Sequence, residues 1–372
     1  MLVSFVIPTR DRVSLLLETL ASVQAQTHPD WEAVVVDDAG AESAESAVLA
    51  LAANDPRICY HRLSEPRGAN HCRNLGMRRA RGELIVFLDS DDLVPAERLA
   101  RQIPLFTARP DLDAAICLTR MFEVRLDDLP YLHNSLDDHD LLDRLLRNDP
   151  VWQTSAATWR KRLVMRIGPW RESLASQQDW EFHIQAMLAK PVVQYQTEIL
   201  NFYRVPRRDS ITRMDQSRWI ESFRSVLGQV ATLLAERGEL TPARLCTLRS
   251  QLLRSGRWAA YYGRWSLAER TFHAGAAGDV ELTLTPSERG VVRTALLLQL
   301  GLGAGIRGLF MLLDRIGVRL RGYYNHAFWT AWCHRLFRAA GWEETEVRWW
   351  KRYLVADVPS PERSVSESAR AA

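Results

Sequence analysis

The chain has 372 residues, enough for two domains of ordinary size. Hydrophobic residues make up 47% and charged residues 25% of it, a globular composition that excludes disorder along most of its length. The net charge of +3 conceals an asymmetry, because residues 205–372 hold 25 lysines and arginines against 16 acidic residues. The acidic first part suits a site for metal and sugar, whereas the basic second part suits an anionic partner or a membrane surface.

The first hundred residues alternate between short apolar runs and helical patterns. Strands are predicted at 3–7, 31–37, 57–63 and 83–88, and helices at 11–20, 42–54, 69–81 and 95–106. In the first helix, Ser14, Glu18 and Thr19 are expected to form the polar face. This alternation predicts an α/β fold whose mostly parallel sheet is covered by helices on both faces. Ligands of such sheets bind at the carboxyl ends of the strands.

After residue 114 the pattern loosens. Shorter apolar runs at 114–118, 154–159, 192–195 and 199–204 predict a mixed completion of the same sheet. A polar, proline-containing break at Val205–Asp215 predicts a boundary. We therefore expect a first domain over 1–208, a mainly α-helical region over 215–358 and a disordered tail over 359–372.

Cysteine usage and the N-terminus bear on the compartment. The five cysteines are scattered, odd in number and never arranged as C-x-x-C, which argues against a disulfide framework and a cysteine-based zinc site. The first residues lack the basic segment of a secretory signal. These features predict a cytoplasmic protein.

Acidic residues follow three of the four predicted strands. Asp11 lies after the first strand, Asp37-Asp38 end the second, and Asp89-Ser90-Asp91-Asp92 follow the fourth. Crowded carboxylates repel one another and are tolerated where a cation offsets the repulsion. Oxygen ligands suit Mg²⁺ or Mn²⁺, which commonly bridge to a substrate's phosphates. The pattern predicts such a site, although helix capping by Asp37 or Asp38 is an alternative.

The first domain resembles the family 2 glycosyltransferases, which have the GT-A fold. The matching segments follow in the family's order: Val3–Thr9, Leu20–Trp31, Val34–Asp38, Gly68–Gly76 and Gly82–Asp92. The chain departs from the common pattern at Arg10-Asp11, where the family often has Tyr-Asn, and at Cys72, where it often has Ala.

This resemblance implies an inverting, metal-dependent transfer of a sugar from a nucleotide-diphospho-sugar, in the first place a UDP-sugar. The acceptor would be a glycan, a lipid-linked or a protein acceptor, and the cofactor Mn²⁺ or Mg²⁺. Asp38 would read the uracil edge. The residues implied for the donor nucleotide are Pro8, Thr9, Asp11, Asp38, Arg73 and Asp89, and those implied for the metal are Asp91, Asp89 and Asp92.

The general base of such a reaction is expected in a Glu-Asp pair that opens a helix. The matching stretch is Gln177–Phe182, in which Gln178 replaces the acid and Asp179 remains. The resemblance therefore implies Asp179 as the base, with Glu181 as a substitute. From the sequence alone, a first-turn aspartate that stabilises its helix is the favoured interpretation of Asp179, and the resemblance reverses that preference.

Two other functions stay open. One is a catalytically idle sugar-nucleotide-binding or scaffolding protein that acts through its helical C-terminal region, and the presence of Asp38, Asp89, Asp91 and Asp179 together disfavours it. The other is a nucleotidyltransferase, which the absence of a glycine-rich loop near the first strand disfavours. No nucleic-acid-binding module is recognisable.

The basic second part has two readings. Arginines and aromatic residues alternate over 307–338, which fits peripheral contact with the anionic inner face of a membrane. The alternative is a soluble helical bundle with the aromatic residues in its core and the arginines on its outside. The apolar segment 294–306 is too short to cross a bilayer, which needs about 20 residues.

Overall fold

The computed structural model describes residues 1–134, 140–149, 151–174, 176–205, 216–261, 267, 273–275, 281–283 and 286. Seven strands form one sheet: β1 Val3–Thr9, β2 Trp31–Asp37, β3 Ile58–Arg62, β4 Leu84–Phe87, β5 Ala114–Phe122, β6 Ala157–Arg160 and β7 Val193–Arg204. Two short strands, β8 His273–Gly275 and β9 Glu281–Thr283, form a separate antiparallel pair that the sequence analysis did not predict.

Helices connect and cover these strands. Their bounds are α1 Val13–Gln24, α2 Glu45–Asn54, α3 Ala69–Arg79, α4 Arg98–Ala108, α5 Leu141–Leu146, α6 Lys161–Ile167, α7 Gln178–Leu188, α8 Gln216–Glu236 and α9 Pro242–Tyr261. A short 3-10 turn, Thr154–Ala156, leads directly into β6.

The seven-stranded sheet has the order β3-β2-β1-β4-β6-β5-β7. The first four strands are mutually parallel, β6 runs antiparallel to both its neighbours, and β5 and β7 are parallel. Every residue of β1, β2 and β4 is buried, as expected for strands covered by helices on both faces. The predicted α/β class, a mostly parallel mixed sheet flanked by helices, is confirmed.

Two details differ from the sequence-based expectation. The runs predicted as separate strands at 192–195 and 199–204 form one strand, β7, whose register against β5 shifts at Cys117/Leu118 and Leu118/Thr119. Thr19, expected on the polar face of α1, is buried, and its hydroxyl donates a hydrogen bond to the Asp92 carbonyl oxygen at 2.9 Å. Thr19 thus anchors the acidic loop, Asp89–Asp92, which follows β4.

The helices after residue 215 join the core of the sheet domain. Phe223, Val226 and Val230 of α8 belong to the same hydrophobic cluster as Trp180 of α7. No helix in the described ranges is both long and apolar enough to span a membrane. The basic aromatic segment 307–338 and the tail 359–372 lie outside the described residues, and the predicted domain boundaries stay predictions.

The close contact between α3 and β1 gives a testable prediction about the frame of the site. A Cβ atom on Gly76 would lie 2.5 Å from Cγ1 of Val6, a fully buried residue of β1. Gly76→Ala should therefore lower the free energy of unfolding by about 1–3 kcal/mol, the range for overpacking a core. Urea unfolding of both chains measures it. Arg78→Ala on the exposed side of α3 is the control, and an equally small effect of both changes would contradict the prediction.

Candidate active site

The carboxyl ends of β1, β2 and β4 lie side by side because these strands are adjacent and parallel. The Asp38 backbone N–H donates to the Thr9 carbonyl oxygen at 2.9 Å, which joins the ends of β1 and β2. Pro8 and Thr9 are buried at this edge. The residues predicted from three different segments are thus brought together at one edge of the sheet.

Asp11 ties the loop after β1 to the loop after β2. It has a positive φ of 52°, and its Oδ1 accepts a hydrogen bond from the Glu42 backbone N–H at 2.8 Å. A Cβ on Gly40 would lie 2.6 Å from the same Oδ1 and 2.8 Å from the Asp11 backbone nitrogen, so only glycine allows this approach. Asp11 therefore fixes the position of the loop after β1 relative to the loop after β2.

Asp37 and Asp38 both accept hydrogen bonds from backbone N–H groups, but neither is a helix N-cap: the N-cap residues of α2 and α3 are Ala44 and Gly68, without a side-chain cap. Asp38 is 4% exposed and accepts from the N–H groups of Arg67 at 2.6 Å and Gly68 at 3.0 Å, just before α3. Asp37 accepts from Tyr60, from Arg62 and from two backbone N–H groups of the β2–α2 loop. Base recognition by Asp38 stays a prediction.

Arg73 of α3 reaches the loop after β4. Its Nη2 donates to Oδ1 of Asp89 at 2.7 Å and its Nη1 to Oδ1 of Asn70 at 3.2 Å. The guanidinium lies 4.6 Å from the ring centroid of Trp170, which adds a cation–π contact. Arg73 is therefore a rigid, buried cation that fixes one carboxylate of the acidic loop.

The three carboxylates of the acidic loop have different surroundings. Asp92 is fully buried and accepts hydrogen bonds from Ser155 at 2.8 Å, from Gln153 at 2.9 Å and from the Arg204 backbone at 3.1 Å. Burial raises the pKa of Asp92 well above its ordinary value, and the charges of Asp91 and Asp89 add to the shift. Since both oxygens of Asp92 already bind protein donors, its surroundings are those of a residue that shapes the loop.

Asp89 and Asp91 point outward, with side chains 28% and 19% exposed. Asp91 pairs with Arg12 at 2.5 Å. Burial and the charge of Asp89 raise the pKa of Asp91, whereas Arg12 and Arg204 oppose that rise. In the described residues no three His, Cys, Asp or Glu side chains converge to hold a metal ion. A pair of carboxylates nevertheless fits Mg²⁺ or Mn²⁺ that arrives with a diphosphate, because these ions commonly use one or two carboxylates, phosphate oxygens and water.

Asp179 lies in the first turn of α7, which begins after Gln177 at a positive φ of 59°. Its Oδ1 accepts a hydrogen bond from the Trp180 backbone N–H at 2.8 Å. Asp179 is accessible to solvent, yet the surrounding protein partly desolvates its carboxyl group and raises its pKa. Arg73 lowers the pKa of Asp179 and Asp89 raises it, so all three groups share one electrostatic environment.

Glu181 has a different environment. Its side chain is 1% exposed, and its Oε1 accepts hydrogen bonds from Arg171 at 3.1 Å and from Gln185 at 2.7 Å. Its Oε2 has no hydrogen-bond partner among the described residues but is buried, so an acceptor hydroxyl could reach it only if the surrounding protein moved. The geometry favours Asp179 over Glu181 as a base.

Several residues of the site were not predicted from the sequence. Arg12 is the third residue after β1, next to Asp11, and this position in the loop at the strand end could have identified it. Ser155 and Gln153 carry no local signal, because their contact with Asp92 depends on tertiary packing. Tyr203 at the end of β7 lies among Asp92, Asp89, Asp91 and Asp179, whose charges, together with burial, raise its pKa.

Two histidines beneath the site predict a pH dependence of stability. Burial lowers the pKa of His183, which packs 4.7 Å from the Trp152 ring, to about 3, and that of His133 to about 4. Below about pH 6.5 the unfolded chain takes up protons that the folded chain excludes, so stability falls with falling pH.

His183→Gln should therefore reduce the loss of unfolding free energy between pH 7 and pH 5 by about 2 kcal/mol. Urea unfolding at the two pH values measures this loss. Asn54→Ala, an exposed change that removes no titratable group, is the control and should leave the acid-induced loss as in the parent chain. An identical loss in the parent chain and in His183→Gln would contradict the prediction.

Known proteins resemble the chain in sequence and in fold. Residues 4–166 match the model of glycosyl transferase family 2. The chain is 33% identical over 108 residues to a protein from Bacillus subtilis named as the putative teichuronic acid biosynthesis glycosyltransferase TuaG, covering 29% of this chain and 43% of that one. It is 34% identical over 104 residues to the Escherichia coli UDP-Glc:alpha-D-GlcNAc-diphosphoundecaprenol beta-1,3-glucosyltransferase WfgD, covering 28% of this chain and 40% of that one.

The matches thus span less than half the length of these two relatives. Among solved structures, residues 1–349 of S. aureus TarS in complex with UDP-GlcNAc superpose with a TM-score of 0.53 at 16% identity, covering 73% of this chain and 88% of that one. At this identity the likeness shows the fold alone, and that fold agrees with the sheet described above. The resemblance inferred from the motifs is confirmed for residues 4–166, the part of the chain that matches the glycosyl transferase family 2 model.

Proposed function

We propose that the protein is a glycosyltransferase that moves a sugar from a nucleotide-diphospho-sugar, in the first place a UDP-sugar, to an acceptor hydroxyl with inversion. The observation that carries the proposal is the convergence of Asp38, Asp89, Asp91 and Asp179 with Arg73 at one edge of the sheet. Family membership of residues 4–166 and the named activity of the relative WfgD support the same chemistry.

In this proposal the donor nucleotide lies across Pro8, Thr9, Asp11 and Asp38, and its diphosphate extends toward Asp89. A divalent cation held by Asp89 and Asp91 would offset the negative charge of the leaving diphosphate. Asp92, with both its oxygens bound to protein donors, is proposed to hold the loop rather than the metal.

Asp179 is proposed as the general base. An acceptor oxygen attacks the anomeric carbon, the bond from that carbon to the diphosphate oxygen breaks, and the acceptor proton passes to Asp179. The raised pKa of Asp179 matches this role, because a carboxylate is a better proton acceptor when its pKa is higher. Arg73 lies close enough to affect the carboxylates of both Asp89 and Asp179. It would therefore hold the donor-binding side of the site and the base in a fixed arrangement.

The acceptor is proposed to be a glycan or a lipid-linked saccharide, as the names of the relatives suggest. Peripheral contact of the basic segment 307–338 with an anionic membrane face would suit such an acceptor, and this contact remains a proposal. Flotation of the full chain with anionic vesicles at low salt tests it, and absence of the chain from the vesicle fraction would contradict it.

The products of donor turnover test the function. The full chain is incubated with a panel of nucleotide sugars, Mn²⁺ and acceptor fragments, and the released nucleotide is identified by ion-exchange chromatography. A glycosyltransferase releases the nucleoside diphosphate, a nucleotidyltransferase transfers the nucleoside monophosphate group and releases the sugar 1-phosphate, and an idle binding protein releases neither. Release of UDP from one donor supports the proposal, and donor binding without any product would favour the scaffolding alternative.

A further inference from the structure

Each of the two outward-facing aspartates of the acidic loop is paired with a guanidinium group. Arg73 donates to Asp89 at 2.7 Å, and Arg12 donates to Oδ2 of Asp91 at 2.5 Å. The two arginines are held very differently. The Arg73 side chain is 6% exposed and is also fixed by Asn70 and the Trp170 ring, whereas the Arg12 side chain is 27% exposed. Within the described residues, Asp91 is the only charged partner of Arg12.

The local structure of α1 does not explain an arginine at this position. Arg12 precedes the first residue of the helix, where its side chain caps no backbone group and where the first turn contains no acidic residue. A positive charge at a helix N-terminus is unfavourable because the helix dipole is positive there. The Arg12 carbonyl oxygen accepts from the Leu16 backbone N–H at 2.9 Å, so the backbone is fixed while the side chain is tethered only at its tip. The ion pair with Asp91 is therefore the feature of the structure that accounts for an arginine at position 12.

Arg12 and a metal ion would compete for the same carboxylate. A divalent cation bound by Asp89 and Asp91 needs an outward-facing oxygen of Asp91, and Oδ2 is held by Arg12. Two cations cannot share it without strong repulsion, so Arg12 must leave as the metal binds. The nearest new anion would be the diphosphate that arrives with the metal, and a guanidinium donates readily to phosphate oxygens.

We infer that Arg12 is a donor-binding residue that holds Asp91 in the empty site and moves to the donor diphosphate when the metal and nucleotide bind together. This inference rests on the proposed function and adds to it a residue and an order of events. Arg12 keeps the metal from binding tightly alone, and the metal and nucleotide therefore favour each other's binding. By linkage, each should raise the affinity of the other by the same factor.

The test measures binding and needs no turnover. The affinity for Mn²⁺ is determined from the electron paramagnetic resonance signal of the free ion, with and without UDP, for the full chain and for Arg12→Gln. Removing the competing charge should tighten the binding of Mn²⁺ alone by about two- to fivefold, the upper part of the range for one partly exposed ion pair. The factor by which UDP improves Mn²⁺ binding should fall, because the diphosphate loses a donor.

Two further variants make the result specific. Arg12→Lys keeps the charge but not the planar fork, so it should change the Mn²⁺ affinity in the same direction by less. Arg109→Gln removes an exposed arginine that pairs with Asp111 at 3.0 Å and should change neither affinity. Circular dichroism verifies that each variant is folded, and Arg12→Lys decides the matter if Arg12→Gln does not fold.

The outcomes separate this inference from the function on which it rests. Tighter Mn²⁺ binding together with weaker coupling to UDP supports the role of Arg12. An unchanged or weaker Mn²⁺ affinity in folded variants would overturn that role and leave the proposed function intact. A parent chain that binds no UDP in the presence of Mn²⁺ would contradict both.

Discussion

Asp179→Asn is expected to lower the turnover number by about 10²–10⁴-fold, the range for loss of a general base. The change keeps the size and shape of the side chain but removes its basicity. Because Asp179 contacts no residue of the proposed nucleotide pocket through a hydrogen bond, UDP affinity should remain close to that of the parent chain. Initial rates of UDP release and UDP titration by calorimetry measure the two quantities separately.

The pH profile adds a second readout for Asp179. Desolvation raises the pKa of this carboxyl, so turnover of the parent chain should decline with falling pH at a higher pH than an ordinary carboxylate would dictate. This acid limb should be absent from the residual activity of Asp179→Asn. Asp111→Asn, which alters an exposed aspartate, is the control and should leave both rate and profile unchanged. Near-parental turnover of Asp179→Asn would move the search for a base to Glu181 or to Glu172, whose Oε2 lies 2.9 Å from Nδ1 of His71.

Asp91→Ala should weaken UDP binding in the presence of Mn²⁺ by at least about a hundredfold, because loss of a directly coordinating group exceeds the effect of outer-shell changes. In the presence of a chelator the parent chain and the variant should bind UDP with similar, weak affinity. Calorimetry under both conditions measures the difference.

The matched control for Asp91→Ala is Asp111→Ala. It removes an exposed carboxylate that pairs with Arg109, and it should leave UDP affinity unchanged under both conditions. If Asp91→Ala lowered UDP affinity equally with metal and with chelator, the assignment of Asp91 to the metal would be wrong.

The first half of the sheet was predictable because its signals are local. In β1, β2 and β4 every residue is buried, so each strand is a nearly continuous apolar run, and each acidic segment follows directly in sequence. Parallel pairing of neighbouring strands then places these segments at one edge. The fold class and the neighbourhood of the site follow from these two facts.

The roles inside the site depend on contacts that no local pattern encodes. Asp91 and Asp92 are adjacent in sequence, yet Asp92 is buried by Ser155, Gln153 and the backbone of Arg204, which come from 61 to 112 residues further along the chain. The sequence predicted Thr19 on the polar face of α1 because no local pattern indicates its buried hydrogen bond to Asp92, which lies 73 residues away.

Strand β7 was missed as a continuous element for a related reason. The alternation of polar and apolar residues breaks near Gln196–Glu198, where the register against β5 shifts. The strand continues through this break because it pairs with β5 on both sides of it. The small β8–β9 pair has three residues in each strand, too few for a periodic signal. Pairing between strands therefore determined the extent of these elements, which the sequence pattern did not indicate.

The stereochemistry of transfer tests the central claim most directly, namely a single displacement at the donor with Asp179 as the base. The full chain is incubated with Mn²⁺ and an α-linked UDP-sugar, and the anomeric proton of the first product is followed by time-resolved NMR before it can equilibrate. The account predicts a β-configured product together with UDP. An α-configured first product, or a donor that binds but is never consumed with any acceptor, would contradict it.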